Sequence, residues 1–163
     1  MQSAQVSLIN YLQSGGSIYF EGTEFGYYHA PGGSYNYGLW EYLGTQFGGD
    51  GNQVNNVSQV IGQDQWYGAA MHFGYPYGQE PDYYVDIFTP SGAGSLQQFS
   101  DQLDRGRVVS HVGATRGYRT IVSGVCFCAF SENAPMSTQQ RLMNRIVNFL
   151  LGDDAVPPAS SGS

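Results

Sequence analysis

The sequence predicts an α/β domain, and three stretches carry the prediction. A helical stripe ends in Gly15-Gly16 and runs straight into a short alternating strand, 17–21. The middle of the chain, from residue 57 to 130, is a series of β-patterned segments divided by Gly, Pro, Asn and Asp. An amphipathic helix then closes the pattern. At 163 residues the chain suits one domain, and a chain of this size buries roughly two-thirds of its unfolded surface, enough for a core without disulfide staples.

In order along the chain, Leu8, Ile9 and Leu12 form the first apolar stripe, with Ser3 placed to cap it and the Gly pair to stop it. Residues 22–37 read as a loop crowded with Gly, Tyr and Pro. Residues 39–43 suit a short helix, and 47–52 a turn. Strands are expected at 57–62, 70–75, 83–88, 95–100, 107–113 and 118–130, the last apolar enough to be central. Cys126 and Cys128 fall inside that last strand. At i,i+2 they are too far apart for a disulfide and have no further Cys for a metal set, so they read as core residues. In the closing helix Ser137 caps, Gln140 completes a capping box, Leu142, Met143, Ile146, Phe149 and Leu150 form the buried face, and Gly152 ends it. Residues 1–152 therefore form the domain, and the Pro- and Ser-rich stretch 153–163 reads as a tail or linker of a longer polypeptide.

Charge is distributed unevenly. The net charge is −7, but residues 1–104 carry ten acids and no base, while 105–163 carry all six Arg and three acids. The chain has no Lys. An uninterrupted −10 half argues against nucleic acid as a partner, and no apolar run is long enough to span a membrane. Tyr, Gly, Gln, Asn and Ser richness without Lys resembles the makeup of extracellular surface proteins. Asn56-Val57-Ser58 matches a glycosylation sequon.

The stretch from Leu8 to Gly22, with its Tyr11-Leu12-Gln13-Ser14-Gly15-Gly16 helix end and a strand running into Gly, resembles the class I glutamine amidotransferase-like superfamily. The strand and helix at the other end, 118–130 and 142–150, resemble the way such domains finish. The resemblance covers about a third of the chain. It implies a three-layer flavodoxin-like sandwich, here without the usual N-terminal strand-helix unit, of the non-catalytic kind found in large secreted bacterial proteins. The family's nucleophile elbow, Gly-x-nucleophile-x-Gly, maps onto Gly22-Thr23-Glu24-Phe25-Gly26, where Glu24 stands in place of Cys or Ser. His111 is followed by Val112-Gly113 rather than a His-x-Glu pair. The amidotransferase machinery is missing residue by residue. Without a preceding strand, strand 17–21 is left with an open hydrogen-bonding edge.

Ligands of open α/β sheets bind beyond the carboxyl ends of strands, which singles out Glu21, Thr23, Glu24, Tyr27, Tyr28 and His29. Carboxylates among aromatics suit a sugar, and a Tyr-rich loop packed over the sheet is the alternative. Asp50, Asn52, Asp82 and Asp86 are the oxygen ligands Ca²⁺ prefers, against the alternative of solvated turns. Asp82 with Asp86 could also act as the acid pair of a glycosidase. Arg105, Arg107, Arg116 and Arg119 form a late cationic cluster that either pairs internally or meets the acidic face of a neighbouring copy. The function expected from sequence is a non-enzymatic structural or interaction domain of an extracellular protein, self-assembling head to tail through acids and Arg, with neighbouring domains as the other partners. Carbohydrate binding is the first alternative and a glycoside or peptide hydrolase the second. No cofactor is implied beyond that calcium reading.

Overall fold

The computed structural model describes residues 2–35, 38–51, 57–67, 71–76 and 84–153. Helix α1 (Gln2–Gln13) leads through the Gly pair into β1 (Ser17–Glu21), as the pattern predicts. Then come a one-turn helix α2 (Phe25–His29), a 3-10 turn (Gly38–Tyr42), β2 (Thr45–Gly49), β3 (Gln59–Gly62), a short α3 (Asp64–Tyr67) and β4 (His72–Gly74). Strands β5 (Ile87–Pro90), β6 (Ser95–Asp101), β7 (Gly106–Val112) and β8 (Arg119–Ser123) follow, and α4 (Gln139–Leu151) closes the described chain.

The three-layer flavodoxin-like sandwich is not what forms. The strands make a six-stranded mixed sheet, ordered β1-β8-β7-β6-β3-β4, and a separate pair, β2-β5. Only β1 and β8 run parallel; every other pairing is antiparallel. The connections dictate this. A parallel neighbour needs a crossover of roughly a dozen residues or more. The links from β6 to β7 and from β7 to β8 are tight turns, so these strands must reverse direction. Only β1 and β8, far apart in sequence, are free to run side by side.

Two apolar clusters fill the opposite faces of the sheet. Leu142, Ile146 and Phe149 of α4 pack with Phe73, Phe99, Val108, Ile121 and Phe130 on one face. Leu12 of α1 packs with Leu39, Trp40, Leu43, Phe88, Val109 and Val122 on the other. The alternation of Ile121 and Val122 between these faces is the strand period of two.

Several local expectations change. The first half of the turn expected at 47–52 is instead the end of β2. The long central strand 118–130 stops at Ser123, where Gly124 passes so close to Asp86 that a Cβ would lie 2.7 Å from its carbonyl oxygen. Beyond it the chain folds into a 3-10 turn, Phe127–Ala129, that buries Val125 and Phe130 from a loop. Cys126 is thus half-buried and Cys128 exposed, not core residues of a strand. The cap of α4 is Thr138, whose hydroxyl accepts from Arg141 N at 3.2 Å. Ser137 turns away to accept from His72 N at 2.8 Å. Asn52, Asn56, Asp82 and residues 154–163 lie outside the described residues.

The late Arg cluster divides. Arg107 is 1% exposed and bound to Asp101, with Nε at 3.1 Å and Nη2 at 2.7 Å from Oδ2. Arg105 shares the same carboxylate oxygen at 2.7 Å. Arg107 is therefore an internal residue and not an interface one, because its guanidinium is spent inside the fold. Arg119 stacks over the Phe149 ring, 5.1 Å from its centroid. Arg116 is exposed at the turn between β7 and β8. Removing one member of a buried ion pair strands the other without a counter-charge, so Arg107→Ala is expected to cost about 3–5 kcal/mol in urea unfolding. The exposed Arg116→Ala is expected to leave unfolding within about 0.5 kcal/mol of wild type.

Candidate functional site

The end of the sheet where β1 and β8 both terminate gathers most of the sequence-selected residues. Strand β1 leaves the sheet at Glu21, turns through Gly22-Thr23-Glu24 and enters α2. A strand-to-helix elbow does form there, and α2 fills the place where sequence predicted only a loop. Glu24 stands just before α2 with φ −114° and ψ 14° and caps nothing with its side chain. A positive φ, the strain of a nucleophile elbow, is absent from it.

Asp86 holds this elbow from the side. Its N–H donates to Thr23 O at 2.8 Å. Its carboxylate Oδ2 accepts from Gly26 N at 2.5 Å and Tyr27 N at 3.3 Å. Gly26 is required here, since a Cβ would overlap the rings of Phe47 and Phe88. Asp86 is fully buried, and its Oδ1 has no hydrogen-bond partner. Burial outweighs the two amide donors and, with Glu24 and Asp50 nearby, pushes its carboxyl up to about 7. Burial also raises the carboxyls of Glu24 and Asp50, and for Glu24 the charge of Asp50 adds to it.

Aromatic rings frame the acids. Glu24 immediately precedes α2, and Tyr27 and Tyr28 lie within its single turn. Tyr27, Tyr28 and Tyr35 are 46, 41 and 53% exposed. The rings of Tyr27 and Tyr28 meet edge-on with centroids 5.1 Å apart, and Tyr35 lies 6.1 Å from Tyr28. Gly33 allows the loop to fold back onto α2; a Cβ there would sit 2.8 Å from the carbonyl oxygens of Tyr27 and Tyr28. His29 packs between Phe25 and Tyr35.

Not every sequence-selected residue is available to a ligand. Glu21 Oε2 accepts from Tyr19 OH at 2.7 Å and from Phe127 N at 2.8 Å, so it ties β1 to the turn after β8. Burial and that carboxylate raise the Tyr19 phenol. Thr23 contributes its backbone carbonyl to Asp86. Of the calcium set, Asp50 and Asp86 do converge, joined by Glu24. Among the described residues no group of three or more His, Cys, Asp or Glu side chains is placed to hold a metal ion. No helix of the described residues is long and apolar enough to cross a membrane.

Sequence reasoning missed Asp86 as the clamp of the elbow. The available signal was a lone acid between Val85 and the apolar pair Ile87-Phe88. It also missed a cleft of 280 Å³ on the α1 face, lined in part by Trp40, Glu41, Gln46 and His111. Burial lowers the His111 pKa, favouring its neutral ring, which bonds Ser95 Oγ at 2.9 Å. Gly44, at φ +62°, gives it room, for a Cβ there would overlap the imidazole.

The geometry defines a class: a β-rich, mixed-sheet domain with an acidic, tyrosine-lined end. No family model and no curated protein matches the chain. Among solved structures it is similar to the mmIFT52 N-terminal domain, with a TM-score of 0.60 and 16% identity over 92% of this chain and 71% of that one. The likeness speaks for the fold alone. It replaces the expected flavodoxin-like sandwich with a fold seen in a domain of IFT52.

Asp86 makes stability depend on pH. Its folded-state pKa of about 7 exceeds the unfolded value of about 3.9, so the folded protein holds the proton more tightly. The Asp86 contribution to stability should therefore fall as pH rises from about 4 to 7 and then level off. Asp86→Asn keeps an acceptor for the two amides and removes the ionisation. It is expected to flatten that slope and to add up to about 4 kcal/mol at pH 8, read by urea unfolding at several pH values.

Proposed function

We propose that this chain is a non-catalytic interaction domain whose binding face is the acidic, tyrosine-lined end around α2, and that its own Arg116 end is a partner for that face. The observation that carries this is the separation of the two ends. In the parallel ladder Ser17 pairs with Arg119 and Glu21 with Ser123. The turn bearing Arg116 precedes β8 and lies beyond the Ser17 end. Glu24 and α2 follow β1 and lie beyond the Glu21 end. Five strand residues, roughly 17 Å, stand between them. At that distance, beyond a Debye length of about 8 Å at physiological salt, Arg116 does not neutralise the acids of its own copy. Arg105 and Arg107 are at the acidic end but already serve Asp101.

Head-to-tail docking places the Arg116 guanidinium of one copy among Tyr27, Tyr28 and Tyr35 of the next, where cation–π attraction and the carboxylates of Glu24 and Asp50 act together. A contact of this kind is heterologous and propagates. The absence of Cys or Ser at the elbow, the unstrained Glu24 backbone and the full burial of Asp86 support the non-catalytic reading. A second reading, carbohydrate binding, is favoured by the same exposed rings beside Glu24, which suit a pyranose face and its hydroxyls.

Sedimentation velocity tests the first reading. The wild type should grow beyond a dimer with concentration at low salt, and this growth beyond a dimer should vanish in 1 M salt, where the Debye length is about 3 Å. Arg116→Glu alone and Tyr27→Ala/Tyr28→Ala alone should each stop the growth, weakening association by about tenfold or more. Mixed together, they should recover association, since each retains the end the other lacks. Unchanged growth in both variants overturns the proposal. Retardation on a polysaccharide column that survives high salt and is lost in the Tyr variant selects the second reading instead.

A further inference from the structure

The two edges of the six-stranded sheet are treated differently. At one edge β4 is only three residues long, its Gly74 bridges to Ser131, and His72 N is held by Ser137. At the other edge β1 pairs with β8 on one side, and among the described residues no strand pairs with its other side. Natural edges are blunted by Pro, Lys, bulges or inward charges. The stretch Ser17-Ile-Tyr-Phe-Glu21 has no Pro and no base, and its register with β8 runs without a shift.

The ladder shows which backbone groups face outward. Gly16 O accepts from Arg119 N, and Gly22 N donates to Ser123 O at 3.0 Å. A parallel strand uses alternate residues toward one neighbour, so Ile18 and Phe20 also face β8. The N–H and C=O groups of Ser17, Tyr19 and Glu21 face the open edge.

We propose that β1 pairs antiparallel with β1 of a second copy about a two-fold axis through Tyr19. This contact is distinct from the head-to-tail one and does not rest on it. The register is self-complementary. Tyr19 opposes Tyr19 of the second copy, and Ser17 opposes Glu21 in both directions, so each Glu21 carboxylate meets a neutral neighbour. Parallel in-register pairing would set Glu21 beside its own copy, a like-charge pair that destabilises. The axis stands perpendicular to the sheet, so both α4 helices lie on the same side. Helix α4 packs over β1 and β8. It carries Met143, Val147 and Leu151 at i, i+4 and i+8, exposed at 42, 42 and 69%. The α4 of the second copy is the surface of matching chemistry that this pairing brings to the same side of the joined sheets.

The test is sedimentation equilibrium in 1 M salt, where the charge-mediated contact is screened and backbone pairing is not. The wild type should be a dimer there. Two substitutions at Ser17 should act in opposite directions. Ser17→Glu places a carboxylate opposite Glu21 of the partner copy and should weaken the dimer about tenfold, measured at low salt in the Arg116→Glu background. Ser17→Lys should tighten it under the same conditions. Ser17→Pro removes one outward N–H, leaves the β8 ladder intact and should also weaken the dimer, which keeps the test valid if a charged variant unfolds. A monomer in high salt at every concentration overturns the proposal. So does a dimer that responds alike to Glu and Lys at position 17, since it would then use another surface.

Discussion

The buried Asp101–Arg107 pair is the interaction on which the rest of the structure depends. Asp101 closes β6 and Arg107 is the second residue of β7, so their bond locks the hairpin that forms the middle of the sheet. Asp101 Oδ1 also accepts from the amides of Leu103 and Arg105, at 2.9 and 3.0 Å, which fixes the turn between the strands. The guanidinium then reaches across to the carbonyls of Val85 and Asp86. That fixes the start of β5 and sets the Asp86 carboxyl under the elbow. The geometry of the acidic end is thus inherited, through Arg107, from a turn on another part of the sheet. A buried pair is weak evidence for net stability, since desolvating both charges is costly. Its clear effect here is positional: three chain segments converge on one guanidinium.

The same pair explains how an uneven charge sequence becomes a polar molecule. Two of the six Arg are withdrawn to one carboxylate, and a third lies over Phe149. At the elbow, burial leaves Asp86, Glu24 and Asp50 with raised carboxyl pKa values. Arg116 stays exposed at the opposite end of the β1–β8 ladder. The charge asymmetry of the folded domain is therefore not that of the two sequence halves. It is set by which Arg is consumed internally and by the direction in which β1 and β8 run.

Much of the fold was legible because it is local. The Gly15-Gly16 stop, the alternating strand after it and the amphipathic closing helix depend on near neighbours and on solvent, and each forms where predicted, although Thr138 rather than Ser137 caps the helix and Met143 of its expected buried face is exposed. The errors share a cause. Residues 125–130 are apolar enough for a strand but are buried by a loop, and hydrophobicity alone does not separate the two. The flavodoxin-like layering was inferred from one helix-strand unit at each end, while the tight turns between β6, β7 and β8 already required antiparallel neighbours. Glu24 was visible as the elbow residue, but Asp86 was not visible as its clamp. That contact spans sixty positions in sequence.

The sequence by itself determined the helices at the two ends and most of the strands. Composition, hydrophobic period and turn chemistry act within a few residues and can be read directly. Only the tertiary structure decided the strand order, which Arg residues are buried, and that acids and exposed tyrosines share one end while Arg116 occupies the other. Those features arise from long-range pairing, where burial and desolvation assign each charge either an internal partner or an exposed place on the surface.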